Sequence, residues 1–346
     1  MAKKSFVSRF IPLIALICAV IFFVGSYIKG SLLVQKSEKE INPKKQIEEA
    51  QAKKYSLREI DAKTGQIRWE LTAKEGKTEH NLQAVLIKDI KAEVYKNNEI
   101  IFELTAPSAK ANASTKEIYL LDEVIAKDKN GNFLLTSNQL ALGMGTSIEA
   151  QKGFNIVLKN NGTVIGDNAL VNDDQSKITV DRLKEANFKD LIISGNKVLI
   201  ERNKNGDLIK ATISEGGKVI LKNLNNDSLS ANTINWIKDG DIEAITNVTY
   251  TASDKVFKAG HLILKPNKTL YAKNDVSIIH GQTKCFGDSL TYENNSLVVI
   301  SGNPKALQGD KRITADKIVY NLNTNKVEAI GNVKTIVAQK IEKTQP

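Results

Sequence analysis

The chain has 346 residues, enough for one large or two ordinary domains. Hydrophobic residues make up 41% and charged residues 25%, a globular balance that argues against intrinsic disorder. The net charge of +10 is lopsided: residues 1–54 carry ten Lys/Arg against four Asp/Glu, so the remainder is only mildly basic and charge gives no reason to expect a nucleic-acid partner.

Residues 1–9 form a basic tip with Lys3, Lys4 and Arg9. An uncharged run from Phe10 to Ile28 follows, closed by Lys29. As a helix it would span about 28 Å, enough to cross a bilayer core. The basic flank predicts a cytoplasmic N-terminus, with the rest of the chain on the other side of the membrane. No small-x-small cleavage site follows the run closely, and Ile17 stands where a lipoprotein site at Cys18 would want a small residue, so the reading is an uncleaved anchor. Residues 29–54 read as a charged spacer, with a short helix expected over Gln46–Lys54.

From Tyr55 on, alternation takes over. Tyr55–Ile60 and Ile67–Leu71 predict a hairpin with Ile67, Trp69 and Leu71 on one face. Leu86–Tyr95 and Glu99–Leu104 predict a second, turning at Asn97-Asn98. Ile118–Lys127 with Phe133–Leu142, then Ile148–Val157 with Thr163–Val171, continue the series. Between Asp173 and Asn226 the pattern weakens. A short helix is expected over Arg182–Phe188, and strands over Leu191–Arg202 and Leu208–Ile213, in a seam between two similar domains.

The strongest signal lies beyond the seam. Leu229–Trp236, Phe257–Leu264, Cys285–Tyr292 and Ile313–Tyr320 recur every 28 residues. Each unit opens on an apolar residue and then a small one: Leu229/Ala231, Phe257/Ala259, Cys285/Gly287 and Ile313/Ala315. Each closes on an aliphatic and then a large apolar residue: Ile234/Trp236, Leu262/Leu264, Leu290/Tyr292 and Ile318/Tyr320. The parity flips inside every unit, and a flip within one strand requires a bulge or bend. Between units sit polar slots such as Asn274-Asp275, Gly302-Asn303 and Gly331-Asn332. After Val337 the tail, 338–346, is polar.

Chemistry-bearing motifs are absent from the sequence. His80, His261 and His280 are scattered without metal-ligand spacing, and no phosphate loop, dinucleotide fingerprint or nucleophile elbow occurs. No cofactor is expected and no catalytic residues are assigned. Of the two cysteines, Cys18 lies in the apolar run and Cys285 at an apolar strand position, so neither suggests a disulfide.

The combination of basic tip, apolar run and β-hairpins such as Leu104-Thr105-Ala106 and Asn130-Gly131-Asn132-Phe133-Leu134-Leu135-Thr136-Ser137 resembles the LptC family of lipopolysaccharide export. Gly162–Leu170 resembles that family's closing strand, and Ile313–Tyr320 with Ala329–Val333 resembles the related OstA/LptA domain. The resemblance implies an all-β fold: an antiparallel open β-jelly roll, in two tandem units behind one transmembrane helix. The units would be an LptC-like one at 55–185 and an OstA/LptA-like one at 229–337, joined by seam strands 186–228. It implies a non-enzymatic, inner-membrane-anchored periplasmic bridge. Its partners would be lipopolysaccharide or a related glycolipid, the permeases of an inner-membrane ABC transporter, and an LptA-like bridge or an LptD-like outer-membrane receptor.

On that reading the apolar face is a lipid groove. Its candidates are Ile67, Trp69, Leu71, Leu104, Leu140 and Leu142, then Ile234, Trp236, Leu262, Leu264, Leu290, Tyr292, Ile318 and Tyr320. The same alternation serves an ordinary closed core. A spacing of 28 residues also suits a parallel β-solenoid of a structural or adhesive surface protein. Strand direction separates the solenoid from the bridge.

Overall fold

The computed structural model describes residues 51–78, 84–112, 117–142, 147–159, 161–293 and 296–337. The basic tip, the apolar run at 10–28, Cys18, the spacer up to residue 50, His80 and the tail lie outside these. Among the described residues no helix is long and apolar enough to cross a membrane.

Strands dominate because β-branched and aliphatic residues alternate with polar ones along nearly the whole chain. They are β1 (Gln51–Ile60), β2 (Ile67–Thr78), β3 (Ala84–Lys96), β4 (Glu99–Asn112), β5 (Glu117–Lys127) and β6 (Phe133–Leu142). Next come β7 (Ile148–Leu158), β8 (Gly162–Val171), β9 (Lys177–Phe188), β10 (Leu191–Arg202) and β11 (Leu208–Leu221). Then follow β12 (Asp227–Ala231), β13 (Thr233–Ile237), β14 (Ile242–Ala252), β15 (Lys255–Leu264), β16 (Leu270–His280) and β17 (Thr283–Glu293). The last six are β18 (Leu297–Ser301), β19 (Lys305–Gln308), β20 (Lys311–Thr314), β21 (Lys317–Asn321), β22 (Lys326–Ile330) and β23 (Lys334–Val337).

Two helix expectations fail here. Arg182–Phe188 lies inside strand β9, where Ile178, Val180, Leu183 and Ala186 keep an apolar face whose parity switches at Arg182 and again between Leu183 and Ala186. Gln51–Lys54 already belong to β1, so strand structure starts before Tyr55. In both places tertiary pairing overrides a polar, helix-tolerant composition.

All strands join one sheet, and every pairing among the described residues is antiparallel. Chain-successive strands pair, making a meander. The β8–β9, β9–β10 and β10–β11 ladders carry the sheet on across residues 177–221, with register shifts at the bends. A parallel solenoid is therefore not this fold. The β3–β4 hairpin turns at Asn97 and Asn98, both with positive φ (53° and 64°), as a tight two-residue hairpin requires.

Near the middle of alternate strands the backbone enters the left-handed region. This occurs at Asp89, Asp122-Glu123, Lys152-Gly153, Arg182, Glu215-Gly216, Thr246-Asn247, Asn274-Asp275, Gly302-Asn303 and Gly331-Asn332. The ladders change register at these points, for instance between Leu121 and Val124 and between Ile245 and Val248. Where the break is complete, one long strand counts as two: β12/β13, β18/β19, β20/β21 and β22/β23 each pair as successive halves along the same neighbour. Pro107 sits at this level of β4, a place where an interior strand tolerates proline.

The bends line up across neighbouring strands and are tied by side chains. Asn138 Nδ2 donates to the Lys152 carbonyl at 2.8 Å, and Asn196 Nδ2 to the Glu215 carbonyl at 2.8 Å. Ser108 Oγ donates to Asp122 at 2.6 Å, Arg182 pairs with Asp167 at 3.0 Å, and Asn332 Nδ2 donates to Asp316 at 2.9 Å. Asn, Asp and Gly populate these slots because they tolerate positive φ. At Gly331 (φ +73°) a Cβ would come within 2.3 Å of the Asp316 carboxylate, so the latch itself requires glycine there.

The bends turn both halves of each strand inward. That is why Leu229, Ala231 and Ile234 are all buried despite their parity flip, as are Phe257, Ala259, Leu262 and Leu264. The sheet folds along one line of corners and closes on a single apolar core. The Phe257 and Tyr292 rings lie 5.2 Å apart although they sit on opposite sides of the corner line, so the halves touch across the interior.

Candidate functional site

The site follows from the alternation. The inner face is aliphatic and aromatic from β2 to β21, and it forms one contiguous cluster. Thirteen of the fourteen sequence-derived candidates belong to it, and Ile67 shares the parity of Trp69 and Leu71 on β2. Trp69, Leu71, Leu104, Leu140, Leu142, Ile234, Leu262, Leu264, Leu290, Tyr292, Ile318 and Tyr320 are buried, while Ile67 and Trp236 are half-buried. The fold brings both groups of candidates into the same interior, with Phe102, Leu120, Phe133, Ile156, Val180, Ile193 and Ile213 between them. These intervening residues carry the same alternation, but no fixed spacing singles them out.

The interior is deepest in the middle and thins at both ends. On β1, Tyr55 and Leu57 are only half-buried, and the strand pairs with β2 alone among the described residues. At the other end, among the described residues, β22 and β23 pair only with β21 and β20. There Val333 is 50% and Val337 56% exposed, on the parity of Ile313 and Thr335. Both ends thus present apolar inner-face residues beside an unpaired strand edge. Soluble proteins normally guard such edges.

Apart from the Trp69 indole nitrogen, polar groups in the interior find partners among the described residues. Tyr250 OH donates to Asp227 at 2.6 Å; burial and that carboxylate push the tyrosine far above its ordinary range. Burial also lifts Asp227, and the hydrogen bond from Tyr250 offsets part of the rise. His280 links Asp254, 2.9 Å from Nε2, to the hydroxyl of Tyr320, 2.7 Å from Nδ1, and so ties one half of the fold to the other. Nothing in the sequence signals this tie, because its members are far apart along the chain. Among the described residues no group of three or more His, Cys, Asp or Glu could hold a metal. An outer hollow of about 780 Å³ is lined by Glu243, Ile245, Asn247, Val248, Lys258 and His261 among others, a surface of mixed polarity, unlike the interior.

Cys285 is fully buried, and burial pushes its thiol up to about 12 from the ordinary 9.0. It packs as a small hydrophobe. A maleimide should therefore leave it unlabelled at neutral pH until the sheet unfolds. Because the folded pKa is the higher one, the thiol's contribution to stability is complete below pH 9.0 and is lost as pH rises towards about 12. A melting series across that range checks the sign.

Comparison with known proteins bears on this interior. The family model described as "Lipopolysaccharide-assembly, LptC-related" matches residues 12–180. Those residues are an LptC-related segment. It ends within β9, so β10 to β23 continue the same sheet beyond it. No curated protein matches the chain. Twenty-four solved chains do. One is LptH of Pseudomonas aeruginosa, described as the LptA-homologous periplasmic component of the lipopolysaccharide transport device. It is 15% identical, with a TM-score of 0.31, and the match covers 33% of this chain and 95% of that one.

Proposed function

We propose that the chain is a bridge that carries lipopolysaccharide along its apolar interior, from an inner-membrane ABC transporter towards the outer membrane. One observation carries this reading. A single antiparallel sheet, β1 to β23, encloses an apolar interior that runs from β2 to β21, and both terminal strands are unpaired on their outer side among the described residues. Acyl chains need apolar surroundings shielded from water, and a folded sheet with open ends supplies them along a line. Entry parts the two halves, which exchanges side-chain contacts for acyl contacts of similar chemistry.

In this scheme residues 10–28 anchor the chain in the inner membrane with residues 1–9 in the cytoplasm, and the sheet stands in the periplasm. Residues 55–185 form an LptC-like jelly roll and 229–337 an OstA/LptA-like one, with 186–228 continuing the sheet between them. The β1 edge meets the transporter permeases. The β22/β23 edge pairs with an LptA-like protein or an LptD-like receptor by strand addition, which extends the trough. The reaction involves no covalent chemistry.

Paired cysteines test the docking. One replaces Thr335 on β23, and the other stands on the first strand of the candidate partner. A disulfide should form in cells at Thr335 and not at Thr212, inside the sheet on β11. Equal or absent crosslinking at the two positions contradicts the assignment of the edge.

A further inference from the structure

Trp69 stands out inside the trough. It lies on β2 and is 4% exposed, and its indole nitrogen is the one buried side-chain N or O among the described residues without a hydrogen-bond partner. Other polar groups buried with the core are satisfied: Tyr250 bonds Asp227, Tyr320 bonds Asn325, and Ser137 bonds three carbonyls. An indole N–H can only donate, and buried tryptophans usually find an acceptor. A phenylalanine there would be smaller but would leave no unmet donor.

Its surroundings narrow the missing acceptor. Leu71 precedes it towards the interior, half-buried Ile67 lies on the rim side, and Val94 faces it from β3. Across the β1 ladder stands Glu59, half-buried on the same face and not bonded to it. An acceptor reaching this place must travel on an apolar body. A carboxylate alongside disfavours an anion such as a phosphate. A neutral carbonyl at the head of a hydrocarbon chain meets both conditions.

We propose that the Trp69 indole N–H donates to the carbonyl oxygen of an ester- or amide-linked acyl chain, and so fixes how deep the chain lies at the β1 end of the trough. This rests on the interior being a lipid path. The residue then reads the acyl linkage itself, not merely the hydrocarbon.

The test uses the full chain in amphipol and two probes, a sugar laurate ester and its dodecyl ether counterpart. The wild type should bind the ester about fivefold more tightly than the ether, the size of one neutral hydrogen bond. Trp69→Phe should lose that preference and bind ester and ether alike. In a Trp236→Phe background Trp69 is the sole tryptophan, and its emission should shift with the ester but not with the ether. Retention of the preference in Trp69→Phe overturns the proposal, as does a wild type that shows none. Both probes binding equally to both proteins sinks only the role of Trp69. Binding of neither probe sinks the lipid path as well.

Discussion

Leu140→Asp should unfold the β region. Leu140 is fully buried on β6, opposite Leu120 on β5 and Ala150 on β7, both also fully buried. Removing the leucine forfeits roughly 2–5 kcal/mol of burial and packing. The incoming carboxyl group finds no partner there, and leaving it unpaired adds several kcal/mol more, even if it takes up a proton. The total rivals the whole stability of an ordinary domain, about 5–15 kcal/mol. Circular dichroism should show the main melting transition lost or shifted far down. Val333→Asp is the matched control. Its site is 50% exposed at the open end, so the melt should move by no more than about 0.5 kcal/mol. Of the two readings that alternation left open, this contrast gives a filled core in the middle and an accessible apolar surface at the end. Leu140→Asp protein that folds normally but transports nothing would instead mean a groove already open at mid-sheet.

Deleting residues 327–337 should abolish lipid export while the rest of the sheet stays folded. The deletion removes most of β22 and all of β23, which pair only with β21 and β20 among the described residues. A meander is stabilised ladder by ladder, so loss of the last ladder leaves the earlier ones intact. The new edge cannot substitute for the old one. It runs in the opposite direction, so an incoming strand would have to reverse its polarity to form the same antiparallel pairing. Transfer to the outer membrane should fall to background, while a protease-resistant core that includes β2 to β17 persists. Unimpaired export would show that docking takes place elsewhere.

Much of this architecture is legible in the residues, for reasons that can be named. The repeat from Leu229 to Tyr320 shows its parity flip because a bulge must sit between Ala231 and Ile234, and the β12/β13 break at Asn232 is that bulge. The Asn97-Asn98 turn was readable because two positive-φ residues in a tight hairpin favour asparagine. Arg182–Phe188 misleads because its charges and Ala186 suit a helix, while long-range pairing with β8 and β10 makes it a strand. The corner latches escaped notice. Asn138–Lys152 and Asp167–Arg182 join residues about fifteen apart whose chemistry is ordinary in any β protein. The groove candidates were found as a face, but their depth was not. Periodicity says which side a residue points to, and only the closure of the sheet says how much covers it.

Photo-crosslinking in cells tests the lipid path most directly. A photoreactive residue is placed at inner-face positions with some access, Ile67, Trp236 and Val327, and at the outward, exposed Ile165, Ile245 and Tyr271. Lipopolysaccharide adducts should form at the three inner positions and not at the three outer ones. Adducts that are absent from the inner positions, or equally abundant on both faces, would contradict passage through the interior.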